Sequence, residues 1–259
     1  MIDLQNSNER IINSVKADVK NFLADLKQVS DTNTIAIKVP STNKKAAFKQ
    51  FNVSQQKQLL RSAFDGVEGS INSVSVFNGI VSDNCEEDID FLVCDRAAIL
   101  IELRKASISN NYKIDDVVYD LSLLQPYDIK EVDLQKKIEV NGVEVVARVP
   151  TLKLDTKIND KMIAELNKLT EDQQRTRSIE LVLIYEIIKY IDSIKINDLV
   201  VNFNDISVYE RFTIVNELPL ALNNGIIDYI SSVKSIEDQS LTFDDEKTVD
   251  IDAGFLAID

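Results

Sequence analysis

Acidic side chains are concentrated in residues 83–95, where carboxylates could in principle bind a divalent cation. Carboxylate oxygens are the ligands that calcium and magnesium prefer, but this run lacks the spacing and the central glycine of an EF-hand loop. An acidic lead-in to a helix accounts for the same residues, because negative side chains stabilise the positive end of a helix dipole. We therefore expect no metal site and no cofactor. The acidic side chains in question are Asp83, Glu86, Glu87, Asp88, Asp90 and Asp95.

Other catalytic chemistry is limited by what the sequence lacks. The 259 residues include no histidine, so the chain cannot build a Ser-His-Asp triad, a Cys-His pair or an imidazole zinc site. Glycine-rich phosphate loops and the Gly-x-Ser-x-Gly nucleophile motif are also missing from the sequence. Asp90, Glu102 and Lys105 have the residue types of a metal-dependent nuclease site, but their spacing is typical of a helix. We predict a protein that is not an enzyme, with no catalytic residue, and keep a carboxylate-dependent metal enzyme as an alternative.

The charge balance narrows the class of partner. Forty-three acidic and 29 basic side chains give a formal net charge of −14. Affinity for nucleic acid comes mainly from Lys and Arg, so this balance argues against nucleic-acid binding. The sequence shows neither a signal peptide nor an apolar stretch long enough to span a membrane. Cys85 and Cys94 form no zinc or redox motif, which is typical of reduced thiols in a cytoplasmic protein.

The N-terminal residues have the pattern of an amphipathic helix. Over residues 7–29, apolar side chains recur at steps of three and four, and Ser7 is a suitable N-cap. The apolar stripe is narrow, so the helix is either an element of the domain or an arm that binds a partner. We treat residues 1–33 as an N-terminal arm and residues 34–259 as one compact domain. The residues predicted to contact a partner through this helix are Ile11, Val15, Val19 and Phe22.

The remaining pattern predicts an α+β fold, with helices on either side of a β-rich middle. Residues 34–39 alternate as a strand before Pro40, and residues 95–106 form a central helix with Ile99, Leu100 and Leu103 inward. Residues 110–155 are β-rich, and Asn141-Gly142 predicts a type I′ hairpin turn. We see no internal repeat. Further helices are predicted over residues 55–64, 71–81, 159–169, 178–191, 207–218 and 220–233.

The C-terminal segment, residues 235–259, is acidic but contains spaced apolar residues. It has eight acidic residues and one lysine, and we predict a small hairpin that turns at residues 244–247. Such an acidic tail is either a solvated edge or a surface that meets a basic partner, and its alternating apolar side chains favour contact with a folded partner over a free tail. The residues predicted to make this contact are Leu241, Phe243, Val249 and Phe255.

Four features occur in the order found in a known protein family. A Pro40-Ser41 pair is followed by residues 48–53, Phe-Lys-Gln-Phe-Asn-Val, and then by a helix. A β-rich insertion ends in alternating apolar residues over residues 138–154, and a helical half ends in a short hairpin with Phe255-Leu256. The helix after the Pro40 feature carries Lys57, Leu59 and Leu60. The second feature in chain order lies between that helix and the β-rich insertion, and is a run that carries Asp95, Ile99, Leu103, Arg104 and Ser107.

From about Pro40 onward, the chain resembles the baseplate hub assembly proteins of T-even-type contractile-tail bacteriophages. Some relatives carry paired cysteines in the β segments, whereas this chain has none there, so its hairpins must hold without metal. The resemblance implies a tail morphogenesis protein in a multi-subunit assembly with other baseplate or tail proteins. It would be a structural part of the hub or wedge, found in the host cytoplasm and then in the virion tail. The alternative is a transient chaperone of hub assembly that is absent from the virion.

Overall fold

The computed structural model describes residues 19–22, 24–25, 33–62, 66–124, 127, 129–130, 133–252 and 254–256. The α+β fold class predicted from the sequence is confirmed, because the helices stand beside small antiparallel sheets. The helices are α1 (Val53–Ser62), α2 (Gly66–Asn84), α3 (Arg96–Ser107), α4 (Leu152–Leu166), α5 (Glu171–Tyr190), α6 (Val208–Glu217) and α7 (Leu220–Leu241). The strands are β1 (Thr34–Val39), β2 (Lys44–Lys49), β3 (Asn111–Ile114), β4 (Val117–Asp120), β5 (Gln135–Val140), β6 (Val143–Arg148), β7 (Ile191–Ile196) and β8 (Leu199–Asn202).

The strands pair into three antiparallel sheets. β1 pairs with β2, β3 pairs with β4, and the third sheet has the order β5-β6-β7-β8. Asn141 and Gly142 have φ angles of 52° and 78° at the β5–β6 turn, as a type I′ turn requires. β6 lies in the predicted β-rich middle, while β7 lies after α5, so the four-stranded sheet joins two distant parts of the chain.

The helices pack around the four-stranded sheet and around one another. Helix α7 packs against β5 and β6. Helix α4 packs against α2 on one side and against α5 on the other. Helix α3 is central as predicted, because Ile99, Leu100 and Leu103 are completely buried. It packs against β1, α2 and α7, and so connects the helical part to the β1–β2 hairpin.

Three differences from the sequence prediction each have a local physical reason. Helix α4 begins at Leu152 rather than at Asn159, because the hydroxyl of Thr151 accepts a hydrogen bond from Leu154 N and caps the helix. Strand β7 was not predicted, since its first residue continues the apolar pattern of α5. Helix α7 continues to Leu241, so the tail hairpin is only a tight turn closed by the Thr242–Thr248 bridge.

The structure reveals an internal repeat that the sequence analysis missed. Residues 113–118 read Lys-Ile-Asp-Asp-Val-Val, and residues 195–200 read Lys-Ile-Asn-Asp-Leu-Val. Each stretch forms the tip of a hairpin with a two-residue turn, β3–β4 and β7–β8. Each hairpin leads into a short 3₁₀ helix, Leu121–Leu123 or Phe203–Asp205, whose first residue is buried. The repeat is short, and its two copies lie in different sheets. β3 and β4 form a two-stranded sheet, whereas β7 also pairs with β6.

The residues that follow α7 pack into the core beside the β3–β4 hairpin. Phe255 is fully buried, and its ring centroid lies 5.5 Å from that of Tyr112. The buried guanidinium of Arg104 donates to the carbonyl oxygens of Phe255 and Asn111 and lies over both aromatic rings. Phe243 stacks on Tyr119 at 4.7 Å. Cation–π and hydrogen-bond contacts thus attach the segment after α7 to α3 and β3–β4.

Candidate functional site: a charged cavity and two hairpin tips

A cavity of about 660 Å³ lies between α2, α4, α5 and α7, a size common for binding sites. Its rim carries Ile179 and Leu183 of α5, and both side chains are exposed although they are large and apolar. They are four residues apart, so they lie on one face of the helix. Ile71 and Val74 of α2 also line the cavity, so that an apolar rim surrounds a charged interior.

The charged interior is an ion-pair network between four helices. Asp155 of α4 accepts contacts from Lys189 at 2.8 Å and from Arg96 at 3.4 Å. Lys189 also contacts Glu186 at 2.9 Å, and Glu186 contacts Lys234 of α7 at 3.0 Å. Asp155 and Lys189 are almost completely buried, so neither could keep its charge there without a partner.

The pKa values of the network follow from this pairing. Burial alone would raise the pKa of Glu186, but the adjacent Lys189 and Lys234 outweigh it and lower the pKa to about 2. Burial would likewise lower the pKa of Lys189, but Glu186 and Asp155 raise it. Glu186 and Lys189 are therefore ionised over the physiological range, and Lys189 joins α5 to Asp155 of α4 as a fixed charge.

Glu237 of α7 differs from the other charged groups of the cavity. Burial raises its pKa to about 7, and the opposing influence of Arg96 and Lys234 is too small to cancel that shift. Within the described part of the chain its carboxylate accepts no hydrogen bond and joins no ion pair. Arg96, Lys189 and Lys234 each already contact another acid. Glu237 is thus the acidic group of the cavity that remains available to bind something else.

The acidic run considered at first for metal binding has a different role in the structure. Asp95 is completely buried and accepts hydrogen bonds from Ser41 N at 2.8 Å, Ser41 Oγ at 2.7 Å and Leu92 N at 3.0 Å. It therefore joins the β1–β2 turn to the start of α3. Across the described residues, no three acidic or cysteine side chains converge in an arrangement that could hold a metal ion.

The two repeated hairpins present the same apolar pair at their tips. Val117 and Val118 are 53% and 61% exposed, and the matching Leu199 and Val200 are 67% and 51% exposed. Neighbouring residues of a strand point to opposite faces, so exposure of both means that each tip extends clear of the body on both faces. The sequence analysis missed these residues, although the repeated Lys-Ile-Asx-Asp pattern before them was a signal that could have found them.

The residues predicted to contact partners fall into four groups. Ile11 and Val15 lie outside the described residues, whereas Val19 and Phe22 are helical and exposed. Leu241 ends α7 and is half-buried. The side chains of Phe243, Val249 and Phe255 are buried in the protein's own core, so a partner at this tail would meet the polar residues around them.

The comparison with family models identifies the relatives. Residues 32–239 match the family model described as T4 bacteriophage base plate protein. The chain belongs to this baseplate family. Membership agrees with the predicted resemblance and indicates a structural role in the phage tail or baseplate, in association with other tail or baseplate proteins. The searches of curated proteins and of solved structures return no match.

The family match covers all the labelled helices and strands except the last two residues of α7. It includes both hairpin tips and every charged group of the cavity, whereas residues 1–31 and the buried Phe255 lie outside it. Among the described helices of this baseplate protein, none is long and apolar enough to cross a membrane.

Proposed function

We propose that this baseplate protein is a non-enzymatic component of the hub or wedge of a contractile phage tail, and that it acts by docking to neighbouring subunits. The observation that supports this most directly is the pair of hairpin tips with matching exposed apolar residues. A protein gains nothing in solution by exposing Leu199 and Val200 beside one another, whereas apolar side chains at the centre of an interface stabilise a complex.

The charge of the protein supports specificity in the same docking. A net charge of −14 repels other acidic surfaces and favours subunits with basic surfaces around their apolar patches. The exposed Val19 and Phe22 of the N-terminal arm would add a second apolar contact of the helix-in-groove kind.

The test replaces each apolar pair by threonines, which keep the preference for a strand but remove apolar surface. The variants are V117T/V118T and L199T/V200T, and Val53→Thr is the matched control because Val53 is equally exposed but lies on α1. Each variant, carrying an affinity tag, is expressed in infected cells, and the captured proteins and the finished virions are analysed by mass spectrometry.

We expect both hairpin variants to lose tail or baseplate proteins that the parent and Val53→Thr capture, with unfolding free energies within about 0.5 kcal/mol of the parent. Presence of the parent protein in virions at a fixed stoichiometry would support a structural subunit. Capture of the same partners without the protein in virions would instead identify a transient assembly chaperone. Unchanged capture by both hairpin variants would show that docking does not use the tips.

A further inference from the structure

The cavity between α2, α4, α5 and α7 has the features of a binding site that the docking function does not use. Its rim exposes apolar side chains, and its interior carries an acid without a partner. Buried or half-buried charges in proteins normally pair with an opposite charge, because losing water without gaining a partner costs free energy. The cavity therefore presents one carboxylate, that of Glu237, which a further positively charged group could contact directly.

The other ionisable groups of the cavity do not compete for that role. Asp155 and Glu186 accept contacts from Lys189, and each accepts a second contact from Arg96 or Lys234. Asn78 reinforces the arrangement, since its amide donates to Asp155 at 2.8 Å and accepts from Arg96 at 3.0 Å. When Glu237 is neutral, the network therefore has three basic groups against two acids, and an added positive charge would have no free acid to contact.

An ionised Glu237 would bring the cavity to three acids and three bases. A cationic ligand then adds a contact at the carboxylate without breaking an existing pair. Arginine fits this site better than lysine, because a guanidinium is planar, gives up its water more readily and can donate two parallel hydrogen bonds to a carboxylate. Arginine is also among the residues that contribute most to protein interfaces.

The rim determines what must accompany the cation. Ile179 and Leu183 lie one helical turn apart and are exposed beside the opening, so a ligand with apolar groups on either side of its charge would cover them. A short segment of another protein has that composition, with an arginine between apolar residues. The acidic character of this chain, −14 overall, would favour the approach of such a segment.

We propose that this cavity is a binding site for an arginine side chain of a neighbouring tail or baseplate protein, with its guanidinium against Glu237 and its flanking apolar residues against Ile179 and Leu183. The identity of the partner rests on the proposed function. The binding site itself rests on the unpaired carboxylate and the exposed rim, and it can be tested on the isolated protein.

The test uses a blocked peptide, Trp-Leu-Arg-Leu, and a second peptide with citrulline in place of arginine. Citrulline has the same shape without the charge, and tryptophan fluorescence reports only on the peptide because the protein has no tryptophan. We expect the arginine peptide to bind at least tenfold more tightly than the citrulline peptide. We expect Glu237→Gln to abolish that difference, while Asp238→Asn, an exposed neighbour with the same change in charge, preserves it.

Binding of the arginine peptide should also strengthen about tenfold between pH 6 and pH 8. A carboxyl with a pKa of about 7 is ionised in roughly a tenth of the molecules at pH 6 and in roughly nine-tenths at pH 8, and only the ionised form binds. The titratable or charged groups near Glu237 are Cys94, Asp95, Arg96, Tyr127, Tyr190, Lys234 and Asp238.

Two results would overturn the proposal: no binding of the arginine peptide, or equal binding of both peptides to the parent protein. A failure of this kind is distinct from a failure of the docking function. If Glu237→Gln captures the normal baseplate proteins while the hairpin variants do not, the cavity is not the contact site but the docking function holds. If the parent captures no baseplate protein, the docking function fails, and the peptide titration still decides on the cavity.

Discussion

Replacing Glu237 by glutamine should stabilise the isolated protein at pH 8 and have a much smaller effect at pH 5. Burial raises the pKa of this carboxyl to about 7, from an ordinary value of 4.5. A raised pKa means that the folded state binds the proton more tightly than the unfolded state, so the group costs stability as the pH rises from about 4.5 to 7. The cost is complete above pH 7 and absent well below pH 4.5.

The size of this cost follows from the difference between the two pKa values. It corresponds to an upper limit of about 3 kcal/mol, and partial exposure of the side chain reduces our expectation to about 1–3 kcal/mol. Glutamine has nearly the same shape but carries no charge, so it removes the cost without leaving a void. At pH 5 the expected gain is below about 1 kcal/mol, because little of the cost has developed there.

Urea unfolding at pH 5 and pH 8 measures both gains, with Asp238→Asn as the control for a general loss of negative charge. The control should show a gain below about 0.5 kcal/mol at either pH. Destabilisation by Glu237→Gln at pH 8, or a gain that is equal at the two pH values, would refute the idea that this acid is strained by burial. A protein that retains such a cost is expected to gain something from the residue in its function.

Three further predictions concern the ion-pair network and two glycines. Asp155→Ala should lower the free energy of unfolding by about 3–5 kcal/mol, because it leaves Lys189 buried without this partner, and D155L/K189M should recover most of the loss in urea titrations. Gly142→Ala should cost about 1 kcal/mol, because φ is 78° at that turn, whereas Gly79→Ala in α2 should stabilise by about 0.5–1 kcal/mol, since a Cβ there meets no atom within 4 Å. The lowered pKa of Glu186 adds stability above its ordinary value of 4.5, and this should be lost as the pH falls toward 2, with a smaller loss in Glu186→Gln.

Each of these predictions has a result that would contradict it. Equal losses in D155L/K189M and in Asp155→Ala would mean that the cost comes from packing and not from a stranded charge. A stabilising Gly142→Ala would contradict the left-handed conformation of the β5–β6 turn. An identical acid titration of stability for the parent and Glu186→Gln would show that other carboxyls, rather than the pair with Lys189 and Lys234, control unfolding between pH 5 and 2.

Local signals in the sequence were sufficient for part of the fold. The alternation before Pro40 fixed β1 at its observed ends, and Asn141-Gly142 located the β5–β6 turn, since both depend on neighbouring residues only. The start of α4 was misplaced because residues 145–154 contain many β-branched and apolar residues, while the single cap at Thr151 decides where the helix begins.

The candidate site could not be predicted in the same way. Asp155, Lys189 and Glu237 each look like ordinary surface charges on an amphipathic helix, and only the packing of α4, α5 and α7 buries them together. The tail shows the opposite case, because Phe243 and Phe255 are apolar residues in an acidic segment and were assigned to a partner. The structure pairs them with Tyr119 and Tyr112, partners that lie more than 120 residues earlier in the sequence.

The contact between Arg104 and the carbonyl of Phe255 also has a consequence for the time course of folding. The two residues are 151 positions apart, which a ribosome adding 5–20 residues per second covers in about 8–30 s. Helix α3 can form within microseconds of leaving the ribosome, yet its guanidinium lacks this acceptor and the Phe255 ring until that interval has passed. We expect the core around α3 to close at a rate set by translation, and the incomplete chain to expose apolar surface to chaperones for many seconds beforehand.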